Sequence, residues 1–177
     1  MKKGVQTIYT QVASKYDTIN RLMTFGLDAI WRRKAAAEAA GHLPERILDL
    51  CCGTGDMALE MSRHLPIARH IIGIDFSLPM LRLACNKPYY SKTSFVISDV
   101  GHLPFPDGSF DLLSIAFATR NLNSGPQILT NFLLEFKRVL RPGGLLIHLE
   151  TSQPRHKILR TLFHGYVRSV VKPLAGR

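Results

Sequence analysis

The sequence predicts an α/β fold, with about five strands in a doubly wound, mainly parallel sheet. Three observations carry this. From residue 46 to residue 150, short apolar runs alternate with stretches of helical periodicity, as repeated βαβ units require. The first run, Ile47-Leu48-Asp49-Leu50-Cys51-Cys52, passes directly into Gly53-Thr54-Gly55-Asp56, a glycine turn at the start of a helix. A second run, His70-Ile71-Ile72-Gly73-Ile74, ends in Asp75, twenty residues after Gly55.

The elements follow in order. Val5, Ile8, Tyr9, Val12 and Ala13 stand at helical spacing over residues 5–15. The stretch from Tyr16 to Gly26 mixes polar and apolar residues and ends in glycine. Asp28 is placed to cap a helix running through Trp31 to Ala40, with Gly41 as its stop. A strand at 46–51, a helix at about 55–65, a strand at 70–75, a helix at about 78–87 stopped by Pro88, and a strand at 94–98 come next. Pro104-Phe105-Pro106-Asp107-Gly108 is a turn, and Phe110 to Ala116 is a buried strand. A helix at about 126–140 leads to Arg141-Pro142-Gly143-Gly144, which turns into a last strand from Leu145 to Glu150. The expected organisation is a single domain with a helical substrate cap over 1–42, a cofactor-binding core over 43–152 and a basic amphipathic helix over 153–177. In that last segment Ile158/Leu159, Leu162/Phe163, Tyr166/Val167 and Val170/Val171 form an i, i+4 stripe, with the basic residues mostly opposite. Two readings stay open for it: a helix packed on the sheet, or a membrane-facing helix over the mouth of a lipid site.

Composition narrows the class. A chain of 177 residues with 46% apolar and 20% charged residues is long enough for one globular core. No apolar run approaches the ~20 residues of a membrane-spanning helix. Met1-Lys2-Lys3-Gly4 is not followed by an apolar segment, so no signal peptide is expected and a cytoplasmic setting fits. Cys51, Cys52 and Cys85 form neither a disulfide framework nor a zinc spacing, and the seven histidines form no metal motif. The net charge of +10 invites nucleic acid, an anionic membrane surface or acidic ligands. Six basic residues and no acid lie between Gln153 and Arg177, so the charge crowds one amphipathic helix instead of a groove with stacking aromatics. Nucleic acid is therefore not the expected partner.

The glycine turn indicates the cofactor. Gly53 and Gly55 let the backbone turn sharply and approach a ligand, and Asp75 is placed to accept hydrogen bonds from ribose hydroxyls. The third glycine of a dinucleotide site is missing, and Asp56 would repel a pyrophosphate. A carboxylate there, and another at Asp49, suits a ligand carrying a sulfonium and an ammonium. S-adenosylmethionine is favoured over nicotinamide on these grounds.

Further residues identify a resemblance. Tyr16-Asp17-Thr18-Ile19-Asn20-Arg21-Leu22-Met23-Thr24-Phe25-Gly26-Leu27-Asp28-Ala29-Ile30-Trp31 resembles the N-terminal signature of the UbiE/MenG quinone-biosynthesis C-methyltransferases. Ile19, Thr24 and Asp28 stand where that pattern has Met, Ser and His. Arg138-Val139-Leu140-Arg141-Pro142-Gly143-Gly144 and Leu149-Glu150-Thr151-Ser152 resemble its second signature, with Arg141 in place of Lys. Phe117-Ala118-Thr119-Arg120-Asn121 stands where the family commonly has Phe-Gly-Leu-Arg-Asn. The resemblance runs from about Tyr9 to the C-terminus. It implies a Rossmann-like class I methyltransferase that moves a methyl from S-adenosylmethionine to a ring carbon of a prenylated quinol, demethylmenaquinol or a ubiquinone precursor. By position it places Thr54, Asp75, Asp99 and Val100 at the cofactor, and Ala116 where relatives often have Ser.

An arene carbon is a poor nucleophile until the quinol hydroxyl loses its proton, and a nearby cation favours the phenolate. Arg120 is the candidate, with Asn121 positioning it or the substrate, and with Tyr16 in the substrate pocket. Arginine stays protonated, so proton removal is expected to run through water. The implied partners are a lipid quinone and, transiently, the inner face of the membrane. The family's sheet carries two further strands that this chain does not reach. The expectation is therefore a shortened chain with an exposed sheet edge, a possible homodimer seam, and cofactor binding with weak or absent turnover. An RNA-modifying or other small-molecule methyltransferase, and a non-catalytic remnant, remain as alternatives.

Overall fold

The computed structural model describes residues 13–171 and 173, apart from 91, 124 and 154. The helix expected over 5–15 therefore lies outside the described residues, except for a 3-10 turn at Ala13–Lys15. Helix α1 (Tyr16–Thr24) ends where Phe25 (φ 54°) and Gly26 (φ 78°) turn left-handed, and their N–H groups return to Leu22 and Arg21 carbonyls. Helix α2 (Leu27–Ala40) follows directly and is closed by Gly41. Its N-cap is Gly26, so Asp28 is not the cap. Asp28 lies in the first turn of the helix, buried, with Oδ2 2.7 Å from Arg32 Nη1 and Oδ1 accepting from Thr24 Oγ1 at 2.9 Å.

Strand β1 (Arg46–Leu50), α3 (Asp56–His64), β2 (His70–Asp75), α4 (Leu78–Cys85), β3 (Thr93–Ile97) and β4 (Phe110–Ala116) come next. A single turn, α5 (Thr119–Leu122), precedes α6 (Pro126–Val139), β5 (Leu140–Leu149) and α7 (Lys157–Tyr166). The strands pair in parallel in the order β3-β2-β1-β4-β5, the doubly wound sheet that the alternation predicts. The turn α5, four residues long, is too short to leave a periodic signal and is not among the expected elements.

The two-residue period of the strands sorts the core into two faces. Ile47, Ile71 and Leu112 pack with Ala36 and Ala39 of α2 and with Met57, Ala58 and Met61 of α3. Leu48, Leu50, Ile74, Leu113 and Ile115 pack on the other face with Phe136 and Val139 of α6. Ile47, Leu48, Leu50, Ile71, Leu112 and Leu113 are fully buried, each worth roughly 1.5–3 kcal/mol relative to exposure. At Gly73 a Cβ would lie 2.6 Å from the Phe95 ring, so β2 carries glycine where that ring crosses it.

Strand β5 begins at Leu140, five residues earlier than expected. Phe110 pairs with Leu140 but Leu112 pairs with Leu145, so residues 141–144 bulge opposite Asp111. Gly143 is left-handed at φ 76°, and a Cβ on Gly144 would meet the Leu140 side chain at 2.6 Å. The Pro-Gly-Gly sequence thus marks a bulge inside a strand. Asp111 anchors this region. Its Oδ2 accepts the backbone N–H groups of Glu45 (3.0 Å) and Arg46 (2.7 Å), and its Oδ1 lies 3.2 Å from Arg46 and 3.3 Å from Arg141. Burial alone would raise this carboxyl. The Arg46 donors, the Glu45 N–H and the Arg141 charge outweigh it and hold the group below the usual carboxylate range. The Pro-Phe-Pro-Asp-Gly turn is pinned from α6, where Arg138 donates to the Leu103 and Phe105 carbonyls and pairs with Asp107 and Glu135.

Asp111→Ala leaves the two N–H groups at the start of β1 without their acceptor. We expect a loss of about 1–3 kcal/mol in urea unfolding at pH 7. Because the carboxyl is depressed in the fold, its contribution is present at neutral pH and fades as pH falls through the carboxylate range. The difference between variant and parent should close in acid.

Candidate active site

The crevice forms where β1 and β4 diverge, the point at which the strand order reverses. Beyond β1 the chain turns left-handed at Cys51 (φ 52°), Gly53 (φ 55°) and Gly55 (φ 80°). Cys52 N–H donates to Ile74 O at 2.9 Å, tying the turn to β2. A Cβ on Gly55 would run into the Tyr89 hydroxyl and Ala84, so this glycine is required by packing. A Cβ on Gly53 would meet nothing within 4 Å. That position faces open space and leaves room for a ligand against the backbone. Phe117, at the end of β4, is also left-handed (φ 58°), and its ring stacks 4.7 Å from the Arg32 guanidinium. Left-handed Cys51 and Phe117, at roughly 1–3 kcal/mol each, flank the crevice. Burial pushes the Cys51 and Cys52 thiols well up, which leaves them inert packing groups.

Asp49 lies in this crevice, 1% exposed. Ser114 Oγ, from the paired position on β4, donates to its Oδ1 at 2.6 Å. Its Oδ2 is buried without a hydrogen-bond partner among the described residues. Burial drives the carboxyl up to about 7, against the pull of Ser114, Arg32 and the Ala58 N–H. The hydroxyl beside this carboxylate comes from Ser114, whereas Ala116, two residues on, lines the cavity with methyl alone. Asp75 is held rigidly at the end of β2. Its Oδ2 accepts Gly53 N–H and its Oδ1 accepts Ser77 N–H, both at 2.9 Å, and burial raises its carboxyl despite these donors. The Phe76 N–H adds a third donor, and the carboxylate still keeps a lone pair for a ribose hydroxyl.

The structure changes the argument from Asp56. This carboxylate is not free to face a cofactor cation, because it pairs with Lys87 and lies 4.0 Å from Arg32. Lys87 also contacts Asp17 of α1 at 3.0 Å, and Thr54 Oγ1 donates to Asp17 at 2.5 Å. The network ties α1 across the glycine turn. Asp17, Arg32, Lys87, Ser114 and Phe117 were not singled out by sequence reasoning. Asp17 carried a signal in its place beside Tyr16. Lys87, 31 residues from Asp56 and 70 from Asp17, carried none.

Adjoining cavities share walls from the turn outward. Asp49, Gly53, Thr54, Tyr16, Arg32 and Ala116 line one. Tyr16, Gly53, Asp75, Phe117 and Asn121 line the next. Tyr16, Phe117, Asn121, Arg120 and Glu150 line a third, of about 210 Å³. Arg120 and Glu150 also line the largest, about 760 Å³, whose walls include Met23, Phe25, Leu27, Trp31, Phe163 and Val167. The structure thus brings Tyr16, Asn121 and Arg120 together along one path from the glycine turn, and burial raises the Tyr16 hydroxyl. Asp99 and Val100 lie apart from these four cavities. Asp99 Oδ1 accepts Gly101 N–H at 2.9 Å, and Val100 is buried in the core against the face that holds Leu48 and Leu50.

The residues present fit S-adenosylmethionine. A partnerless buried carboxylate oxygen suits its cationic amino-acid end, an acid at the end of β2 suits its ribose, and the space over Gly53 admits it. Comparison with known proteins agrees. The model of the ubiE/COQ5 methyltransferase family matches residues 1–177. A demethylmenaquinone methyltransferase from Lactiplantibacillus plantarum is 38% identical over 98% of this chain and 73% of its own length. A ubiquinone/menaquinone biosynthesis C-methyltransferase from Geobacter sulfurreducens is 36% identical over 97% of this chain and 67% of its own. The solved phosphoethanolamine N-methyltransferase 1 of Haemonchus contortus, in complex with phosphoethanolamine and S-adenosylhomocysteine, superposes with a TM-score of 0.64. It is 22% identical, over 82% of this chain and 33% of that one, a likeness of fold alone.

Asp49 makes two opposed predictions. Its raised carboxyl binds more protons in the fold than in the unfolded chain between about pH 4 and 7, so its contribution to stability falls as pH rises through that window. Asp49→Asn should therefore raise the melting temperature at pH 8 while weakening S-adenosylmethionine binding in calorimetry. In the parent, affinity should weaken by up to about tenfold from pH 8 to pH 6 as the ionised fraction falls.

Proposed function

The chain belongs to the ubiE/COQ5 methyltransferase family, and on that premise we propose that it methylates a ring carbon of a prenylated quinol, demethylmenaquinol foremost. It is an S-adenosylmethionine-dependent methyltransferase of quinone biosynthesis. The observation that carries the finer reading is the line of adjoining cavities. A polar crevice with Asp49 and Asp75 leads past Tyr16, Arg120 and Asn121 into a wide cavity walled mainly by apolar side chains. A ring with a hydroxyl and a long apolar tail matches that sequence of walls better than a polar acceptor does.

In this reading Asp49, Gly53, Thr54 and Asp75 hold the cofactor, with Asp99, Val100 and Ala116 following from family position. When bound, S-adenosylmethionine supplies an electrophilic methyl on a sulfonium. The residues of this chain orient the acceptor ring toward it, a proximity effect worth up to ~7–11 kcal/mol in well-oriented systems. Arg120 Nη2 is held near Thr151 O at 3.4 Å, at the wall shared by the two outer cavities, where its charge favours a phenolate. Asn121, one residue on, and Tyr16 across the path position the ring. Trp31 and Phe117, with ring centroids 6.3 Å apart, help screen the crevice from water.

The same reading places the chain at a membrane surface. Helix α7 leans on the end of α1: Tyr166 stacks on Phe25 at 4.7 Å, and its hydroxyl donates to Leu22 O at 2.9 Å. Phe163, Val167 and the largely exposed Phe25 (68%) line the large cavity, while Ile158 (76% exposed) and Leu162 (65%) lie outward on the same helix as Phe163. Arg155, Lys157, Arg160 and Arg168 flank them, an arrangement suited to anionic lipid. Among the described residues no helix is long and apolar enough to cross a membrane. The segments 1–42, 43–152 and 153–177 then act as cap, core and surface contact of one domain.

The test is methyl transfer from labelled S-adenosylmethionine to demethylmenaquinol and to a demethylated ubiquinone precursor, side by side. Weak but detectable transfer to the first is expected, and absence of transfer to both would remove the quinol reading. Arg120→Met should lower turnover by about 10²-fold or more while S-adenosylmethionine affinity is unchanged. A separate measurement, co-sedimentation with vesicles containing anionic lipid, should show salt-sensitive binding that Leu162→Glu weakens.

A further inference from the structure

Glu150 belongs to the Leu-Glu-x-Ser motif at the end of β5, and the roles assigned so far leave it unused. Its carboxylate is fixed by the main chain. Oε1 accepts Thr151 N–H at 2.9 Å, and Oε2 accepts the backbone N–H of Arg120 at 3.4 Å. Among the described residues it has no cation within ion-pair distance. It lines both outer cavities, together with Met23, Thr24, Arg120 and Thr151. The other carboxylate there, Asp28, lines only the inner of the two, and its oxygens are engaged by Arg32 and Thr24. His164 and Arg168 line only the wide cavity. On the wall that the two outer cavities share, Glu150 is thus the available carboxylate among the described residues, and Arg120 lines the same wall.

We propose that Glu150 accepts the hydroxyl proton of the bound quinol, as the general base that Arg120 cannot be. The proposal rests on the quinol reading. The proton leaves the hydroxyl for the carboxylate, and the oxygen becomes a phenolate whose charge Arg120 stabilises. The ring carbon then forms its new C–C bond as the methyl's C–S bond breaks, and that electron pair goes to sulfur. The proton on the methylated ring carbon is lost to water, which restores the aromatic ring. Glu150 returns its own proton to the phenolate oxygen that rearomatisation leaves. The net products are the methylated quinol, S-adenosylhomocysteine and one proton. This replaces the water-mediated first step expected from the sequence. A carboxylate held by backbone donors and facing both cavities does the work that an unsupported water would do.

The variant is Glu150→Gln, measured beside the parent in labelled methyl transfer to demethylmenaquinol, with a calorimetric titration of S-adenosylmethionine to verify the fold. We expect unchanged cofactor affinity and a fall of about 10²-fold or more in kcat at pH 7, the range for loss of a general base. The ratio to the parent should then narrow toward pH 10, where solvent itself forms the phenolate. A merely structural defect would leave that ratio constant with pH. Three results would overturn the proposal. They are near-parental turnover by the variant, a deficit independent of pH, and loss of cofactor binding together with turnover. In each of these the parent's own transfer leaves the quinol reading standing. Absence of transfer by a parent that binds cofactor removes the quinol reading first and Glu150's role with it.

Discussion

Position 49 has to hold its carboxylate inside the protein, because β1 is flanked by β2 and β4 and covered on that face by α2 and α3. Transfer of an ion into such a place is costly unless it is partnered. Ser114 supplies one hydrogen bond, and the second oxygen is left without a partner. The group answers by rising to about 7. The rest of the crevice is arranged around that unfinished site. The glycine turn keeps Cβ atoms out of the space beside it, Gly53 N–H fixes Asp75 at the neighbouring strand end, and Cys51 and Phe117 accept left-handed backbones to clear the opening. In the proposed function a cationic ligand completes the charge balance at the partnerless Asp49 oxygen.

The helical segment ahead of the sheet depends on the same crevice. Thr54, Asp17, Lys87 and Asp56 form one chain of contacts, so α1 is anchored to the glycine turn. Tyr16, the residue before Asp17, consequently lines three of the four cavities. Coupling between cap and cofactor turn follows from this geometry. Outward from Tyr16 the walls change character, from Asp49 and Asp75 through Arg120, Asn121 and Glu150 to Phe163, Trp31 and Leu27. In the proposed function that gradient orders a charged donor end, a ring with an ionisable hydroxyl, and an apolar tail.

Much of this was legible in the sequence. Ile47 to Asp56 and His70 to Asp75 read as strand, glycine turn, helix, strand and acid, and they form those elements. Strand boundaries held to within a residue or two wherever period and punctuation agreed. They failed at Leu140, where Pro-Gly-Gly reads as a turn but acts as a bulge, since parallel pairing to Phe110 is decided across the sheet. Asp28 reads as a cap because caps are local. Its actual role, an ion pair with Arg32, is equally local in spacing, but burial selects it. Asp56 reads as a carboxylate facing a ligand cation, and only the fold brings Lys87 to meet it.

The amino-acid sequence by itself determined the sheet, the glycine turn, the acids at two strand ends and the family. Each of these is written within short contiguous stretches, sixteen residues at most, where local residue choice and hydrophobic period act directly. Tertiary structure alone decided which side chains share a wall. Asp17 meets Thr54 across 37 residues and Lys87 across 70, and Arg120 meets Thr151 across 31. Such meetings follow from how the helices pack on the two faces of the sheet and from where β1 and β4 part. No local pattern encodes that distance, so the partnerless oxygen of Asp49 and the shared wall at Glu150 become visible only in the folded chain.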